Sequence, residues 1–234
     1  MDTAFSIEES LRFGWEKTKE HSLVLFQVLI TLFALHVAQA VIEKSLVGTA
    51  IGGLASFAIG IAYIILGTGF LIITLKIAKG EKTEYRDIVP DLKLVLLVFL
   101  ASLLVGVLTF AGLILLIIPG VYFALRFSMV RYAIIEGSEV MESFERSTKL
   151  TDGHKWSLLA LFAVVIVINI VGAICFLIGL LITIPVTMIA LAHVYLRLKA
   201  HVPHAHAHEH HDHNHEHHDH SDHTHSHEEN SNNQ

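Results

Sequence analysis

The residues best suited to chemistry crowd into one stretch. Residues 204–227 read HAHAHEHHDHNHEHHDHSDHTHSH, and thirteen of the twenty-four are histidine: His204, His206, His208, His210, His211, His213, His215, His217, His218, His220, His223, His225 and His227. Neutral imidazole is the commonest side-chain ligand for zinc, nickel, copper and cobalt. At three or four imidazoles per ion, the stretch with His201 just before it has ligands for on the order of four ions. Alternation with Asp, Glu, Ser and Asn leaves no apolar core to build, so residues 200–234 read as a tail that is disordered without metal. Many ligand subsets are near-equivalent there. The expected behaviour is therefore buffering of Zn2+, Ni2+ or Co2+ with modest selectivity, not one tight cage. An affinity tag is an uninterrupted His run, unlike this acid-interleaved stretch that continues into EENSNNQ. The remaining alternative is a solubilising low-complexity tail with no metal role.

The elements that carry this tail are opposite in character. The chain has 234 residues and is 53% hydrophobic, and its apolar residues come in long runs. Lys and Arg are absent from 22–42 and from 45–75. Each run meets the length of roughly 20 residues that a membrane-spanning helix needs. The expected fold is an all-α polytopic membrane protein with six spans, at 22–42, 48–75, 94–117, 120–136, 156–178 and 184–198. Three parts follow: an amphipathic helix at 1–21, a membrane domain at 22–199, and the tail at 200–234. The second span is long enough to require tilt. Pro119 and Gly120 are expected to break the chain into a tight hairpin, and Gly179 and Pro185 to do the same between the last two spans. The N-terminus starts acidic and lacks a short apolar core with a small-residue cleavage site, so no cleavable signal is expected and the first span should be retained.

Charge placement gives an orientation. Arg12, Lys17, Lys19, Lys76, Lys79, Lys82, Arg86, Lys93, Arg146, Lys149, Lys155, Arg197 and Lys199 fall in one set of loops and span ends, and only Lys44 falls in the other. The positive-inside rule then predicts that both termini are cytoplasmic, and the membrane expected is the cytoplasmic (inner) one. All sixteen Lys and Arg precede residue 200, where they meet fifteen Asp and Glu, so the net charge of −6 belongs to the tail. The basic residues flank spans and imply no nucleic-acid partner. The partners expected are the bilayer and divalent ions.

Two segments have helical spacing with one apolar face. Ile7, Leu11 and Trp15 recur every four residues with Phe5 nearby, and Val140 and Phe144 do the same. Such helices lie in the membrane interface or dock on the protein's own spans. ESLRFGWEKTKEHSLVLF (9–26) resembles ESFERSTKLTDGHKWSLLALF (142–162), with a looser third copy at 83–100. Each copy reads as a charged helix, a polar break and an apolar span.

FSIEESLRFGWEKTKEHSLVLF, IIPGVYFALRFSMVRYAIIEG and ESFERSTKLTDGHKWSLLAL together resemble the membrane-domain family named after glycerophosphoryl diester phosphodiesterase, and related uncharacterised prokaryotic inner-membrane proteins. The matching positions are Pro119, Gly120, Arg126, Glu142, Arg146, Ser147, Leu150, Thr151 and Gly153, and the resemblance covers about residues 5–199. It implies the membrane fold. It implies no hydrolase, because nothing here resembles the phosphodiesterase domain or its acidic metal site. The His tail departs from the family pattern.

The membrane part offers few reactive groups. His36 and His193 are the only His within spans, and no Asp or Glu is expected well inside one. Isolated His without carboxylates suit helix-to-helix hydrogen bonds better than a cation path. Arg126 lies roughly 10 Å along its span, and Arg131 is far enough along to snorkel. An intramembrane arginine costs about 2.5–3.5 kcal/mol on insertion scales, so Arg126 needs a partner. A packed or snorkelling Arg is one reading, and a lipid- or anion-binding residue is the other. Gly48, Gly52, Ser56 and Gly60 form a small-residue stripe that permits close helix approach, within the monomer or as a homo-oligomer seam. Cys175 reads as a small buried hydrophobe. No Walker loop, dinucleotide glycine pattern, nucleophile elbow or zinc-protease helix occurs. The leading expectation is a non-enzymatic membrane protein with a metal-binding cytoplasmic tail. The alternative is a transporter of divalent metal or of an anionic or lipid-like solute.

Overall fold

The computed structural model describes residues 4–174 and 178–201. Cys175 and the histidines from His204 onward lie outside the described residues. Every regular element described is helical: α1 (Ile7–Glu20), α2 (Ser22–Ser45), α3 (Ala50–Lys79), a 3₁₀ turn (Tyr85–Ile88), α4 (Leu92–Leu115), α5 (Ile117–Arg126), α6 (Val130–Ile135), α7 (Val140–Thr151), α8 (Lys155–Ile174) and α9 (Ile178–His201). Six segments are long and apolar enough to cross a membrane: α2, α3, α4, α5 with α6, α8, and α9 from Gly179. They fall on the six expected spans. α3 runs for 30 residues, in line with the tilt its sequence calls for.

The spans are apolar on their outer faces. Leu23, Phe26, Ile30, Phe33, Val37 and Val41 are all exposed along α2, and Leu96, Phe99, Leu103, Val107, Phe110 and Ile114 along α4. Steps of three and four residues put each set on one stripe of its helix. In water such stripes would be costly, and against acyl chains they are not.

The densest packing surrounds the second half of α9. Ile189, Ala190, Ala192, Val194, Tyr195 and Leu198 are fully buried. Leu71 and Leu75 of α3, Met129 and Tyr132 of the α5–α6 segment, Leu150 of α7, and Leu158 and Leu161 of α8 close around them. Leu25, Val28 and Leu29 of α2 pack with Phe70, Ile73 and Ile77 of α3 in a neighbouring cluster.

The helix breaks differ from those expected. α4 ends at Leu115, and the reversal is made by Leu116, which is extended (φ −167°, ψ 147°). Pro119 and Gly120 therefore sit inside the first turn of α5. Proline is tolerated there because the first helical N–H groups have no carbonyl to meet. Gly120 serves close approach: a Cβ on Gly112 would stand 2.9 Å from the Gly120 Cα. Pro185 likewise lies within α9 and not in a turn. The fourth span is not one helix, since residues 127–129 form a turn between α5 and α6.

α1 docks on α9. Its buried residues are Ser10 and Gly14, while Trp15 is exposed. A Cβ on Gly14 would stand 2.3 Å from the Val186 carbonyl oxygen. Small residues win this face because two backbones can touch there, and Leu11 and Trp15 are turned aside. Ile7 and Phe5 do join the core. Val140 and Phe144 of α7 behave as their spacing predicts and pack on Val98, Ala101, Val130 and Ile134.

Gly48 is not part of the α3 stripe. It lies in the turn before the helix with φ +75°, and Thr49 caps α3 by accepting the Gly52 N–H at 3.0 Å. Gly52 packs on Leu46 of its own chain, and Gly60 faces open space.

Candidate functional site

The break between α5 and α6 frees backbone groups in an apolar setting, where each would be costly unpaired. α7 supplies the partners. Ser143, Ser147 and Thr151 recur every four residues and are all fully buried. Ser147 Oγ donates to the Arg126 carbonyl at 2.8 Å and accepts the Met129 N–H at 3.2 Å. Thr151 Oγ1 lies 3.3 Å from the same carbonyl and 2.9 Å from that of Ser147. Glu139 and Glu142 form a capping box at the start of α7, and Gly153 leaves the helix end at φ +77°. Glu142, Ser147, Thr151 and Gly153, all positions that carry the family resemblance, thus support one clamp.

Arg126 ends α5 beside that clamp. Its Nε donates to Thr148 Oγ1 at 3.1 Å, and its Nη1 donates to the Tyr122 hydroxyl at 2.9 Å. Lys155 Nζ stands 3.5 Å from the same hydroxyl and 5.0 Å from the Tyr122 ring centre. Lys155 also pairs with Asp152 at 3.0 Å. The hydrogen bond from Lys155 holds Asp152 below its usual carboxylate range. Arg126 forms no ion pair among the described residues; its partners are neutral hydroxyls. Two cations and one acid therefore share this corner, which retains net positive charge.

The second polar centre is Glu136, which follows directly on α6. Its side chain is only 5% exposed. Lys79 of α3 stands 2.9 Å from one carboxylate oxygen. Lys199 of α9 at 2.8 Å, Tyr195 at 2.7 Å and Arg146 of α7 at 3.0 Å all donate to the other. Arg146 also donates to Ser138. Burial alone would raise the Glu136 pKa. Hydrogen bonds from Lys199, Tyr195 and Lys79 outweigh it and hold the group at about 2. This hub draws α3, α6, α7 and α9 together at the end of the bundle that carries the basic residues. Spacing could not reveal it, because Lys79, Tyr195 and Lys199 each lie about 60 residues from Glu136 and Arg146 alone of the four is near it in sequence. The available signal was an acid ending an apolar run, with basic residues ending two others.

The other candidates are dispersed. His193 stacks on Phe13 with ring centres 4.3 Å apart, and its Nδ1 is 3.4 Å from Ser10 Oγ. His36 is exposed on α2, remote from it. Arg131 is exposed and borders a cleft of about 530 Å³ between α4, the α5–α6 segment, α8 and α9. The cleft is lined by Val105, Phe110, Phe127, Phe162 and Met188 and by the polar residues Ser102 and Thr109, with no acid. Among the described residues no three His, Cys, Asp or Glu side chains converge as metal ligands. The Arg126 corner, the Glu136 hub and the Arg131 cleft are thus three polar features among the described residues. Compared with family models, with curated proteins and with solved structures, the chain matches none.

Proposed function

We propose that this chain is a non-enzymatic multi-pass protein of the cytoplasmic membrane, with both termini cytoplasmic, whose tail binds and buffers divalent transition metals. The observation that carries the reading is thirteen histidines in twenty-four residues, directly after the last apolar segment. The body supports it as a platform. Its main buried acid is tied to four donors, which suits a brace better than an ion-handling group, and no acid lines the Arg131 cleft. The family resemblance, on this reading, describes the platform and not the tail.

The test is metal binding by the full chain in detergent. It should take up several Zn2+ or Ni2+ ions at pH 7.5 and release them near pH 5, where imidazoles are protonated. A chain with the thirteen tail histidines changed to Asn should lose most of that capacity. If the Asn chain bound as many ions as the wild type, the tail would not be the binding element.

A second reading is favoured by the cleft. An apolar trough with a guanidinium at its edge suits an anionic amphiphile, with Arg131 meeting its headgroup. Arg131→Glu should then reduce retention of an anionic lipid, such as phosphatidylglycerol, through purification. Equal retention by both proteins would remove that reading.

A further inference from the structure

Arg126 carries a charge that no acid pairs with among the described residues. Its Nε and Nη1 donate to the Thr148 and Tyr122 hydroxyls, which are neutral. A guanidinium has five N–H donors in a planar fork, and these two bonds leave its Nη2 edge without an acceptor among the described residues. A cation set in an apolar span with neutral partners keeps most of its electrostatic cost, and an anion would offset it. The Tyr122 hydroxyl brings a second cation to the same place. Lys155 Nζ stands 3.5 Å from it. The Lys155 and Arg126 nitrogens are therefore no further apart than two hydrogen bonds laid end to end. Bonds of about 2.8 Å to different oxygens of one phosphate bridge such a gap. Tyr122 accepts from both cations and keeps its own O–H proton to donate. Asp152, which pairs with Lys155, is mostly exposed, so that pair is weak and water-screened. It leaves one N–H of the ammonium for a further acceptor.

The surroundings point to the source of the anion. Lys155 opens α8, and Trp156 beside it is 84% exposed. An exposed indole at the end of an apolar span marks the headgroup level of a bilayer. On α5, Ile117, Ile118 and Val121 are exposed in the turns before Tyr122. Two cations at headgroup level, with apolar helix surface leading away from them, match the phosphate and the acyl chains of one lipid.

We propose that Arg126, Lys155 and Tyr122 form a site for a phosphate group, supplied by the headgroup of an anionic phospholipid. The planar fork of Arg126 takes two phosphate oxygens, and the ammonium and the phenol donate to the others. None of the three residues lines the Arg131 cleft, and the site does not depend on metal binding by the tail. A phosphate held there ties the end of α5 to the start of α8, so occupancy stabilises the fold.

The experiment titrates the full chain in an uncharged detergent with phosphatidylglycerol, with diacylglycerol of the same chains, and with inorganic phosphate. Native mass spectrometry counts the molecules bound, and the Tm is followed in parallel. Arg126→Gln, Lys155→Gln and Tyr122→Phe are compared with wild type. Lys44→Gln serves as control, because it removes one positive charge from an exposed position on α2. Phosphatidylglycerol should bind wild type and control alike and raise the Tm of both. Arg126→Gln and Lys155→Gln should each weaken the first lipid by on the order of tenfold, equivalent to about 1.4 kcal/mol, and lose that rise. Tyr122→Phe should weaken it less, since both cations remain. Diacylglycerol should not distinguish the proteins. Inorganic phosphate decides the source: if it raises the Tm as much as the lipid does, and the same variants lose that rise, the site is real but its ligand is free phosphate. Should Arg126→Gln fail to fold, Lys155→Gln carries the test, because its partners are the exposed Asp152 and the Tyr122 hydroxyl. If the folded variants hold phosphatidylglycerol as tightly as wild type, or if Lys44→Gln weakens it equally, the site does not exist.

Discussion

At Glu136 one carboxylate faces Lys79, Arg146, Lys199 and Tyr195 with almost no access to solvent. Breaking a fully buried ion pair costs about 3–5 kcal/mol, because the remaining charge is left unpaired. The three cations here are 26–38% exposed, so water can recover part of that loss. Glu136→Gln is therefore expected to cost about 2–3 kcal/mol, below the range for fully buried pairs, and to appear as a lowered Tm in detergent. Lys79→Met should cost less, since two cations and a phenol still face the carboxylate. The pH dependence has a definite sign. The folded group sits at about 2 and the unfolded group near 4.5. Its stabilisation is present in full above pH 4.5 and is lost as pH falls from 4.5 towards 2. Unfolding followed through that window should show a weaker acid dependence for Glu136→Gln than for wild type. Equal acid slopes would mean that Glu136 is not the group whose pairing matters there. Arg126 is the contrasting residue. Its lack of an acidic partner was legible from the spans, but its Thr148 partner was not, because Thr148 is brought to it only when α7 folds back.

The α5–α6 break and its α7 clamp belong to the scale of elements. A helix interrupted at residues 127–129 exposes the Arg126 carbonyl and the Met129 N–H, and the Ser147 hydroxyl answers both. Ser147→Ala leaves a fully buried N–H without its acceptor, for which the expected cost is about 1–3 kcal/mol. Ser147→Thr keeps the hydroxyl and should cost less, provided its methyl finds room. Thermal unfolding in detergent, compared with Lys149→Ala on the outer face of the same helix, checks the ranking. A loss no larger than that of Lys149→Ala would show that water replaces the hydroxyl. The apolar positions Val140 and Phe144 announced α7 and its packing face. Ser143, Ser147 and Thr151 share its spacing, yet a hydroxyl every four residues reads equally as a solvated face until the broken helix beside it is seen. The α1–α9 contact was not legible for a related reason. Ile7, Leu11 and Trp15 form the conspicuous stripe, but Gly14 lets the α9 backbone approach, and proximity of backbones leaves no periodic trace in hydrophobicity.

For the whole molecule, length and apolarity were enough to place six spans, because a bilayer of fixed thickness sets the length of each. Where the chain turns was less legible. Pro119, Gly120 and Pro185 look like breakers, yet all three lie within helices, since proline is harmless in a first turn and a neighbouring helix can accommodate it further along. The ends of the spans agree with the charge pattern. Lys79 of α3, Glu136 after α6 and Lys199 of α9 meet in one hub, and Glu9 of α1 pairs with Arg197. Residues expected on one side of the membrane are thus brought together at one end of the bundle, and Lys44 is in the last turn of α2. The side is our proposal, drawn from the thirteen-to-one imbalance of Lys and Arg across the two sets of loops. Reporters fused at residue 2 and at residue 234 should both score cytoplasmic, and one inserted beside Lys44 should score external. Moving the bias is the sharper form of the same experiment. Replacing Lys76, Lys79 and Lys82 would also break the Glu136 hub, so the charge change belongs at Lys44, where added lysines touch no buried partner. Several lysines inserted there should reduce the external signal by retaining the α2–α3 loop on the cytoplasmic side. If the inserted lysines left all three reporters unchanged, and the C-terminal reporter scored external in the parent chain, the orientation would be inverted and the His-rich tail would meet metal outside the cytoplasm.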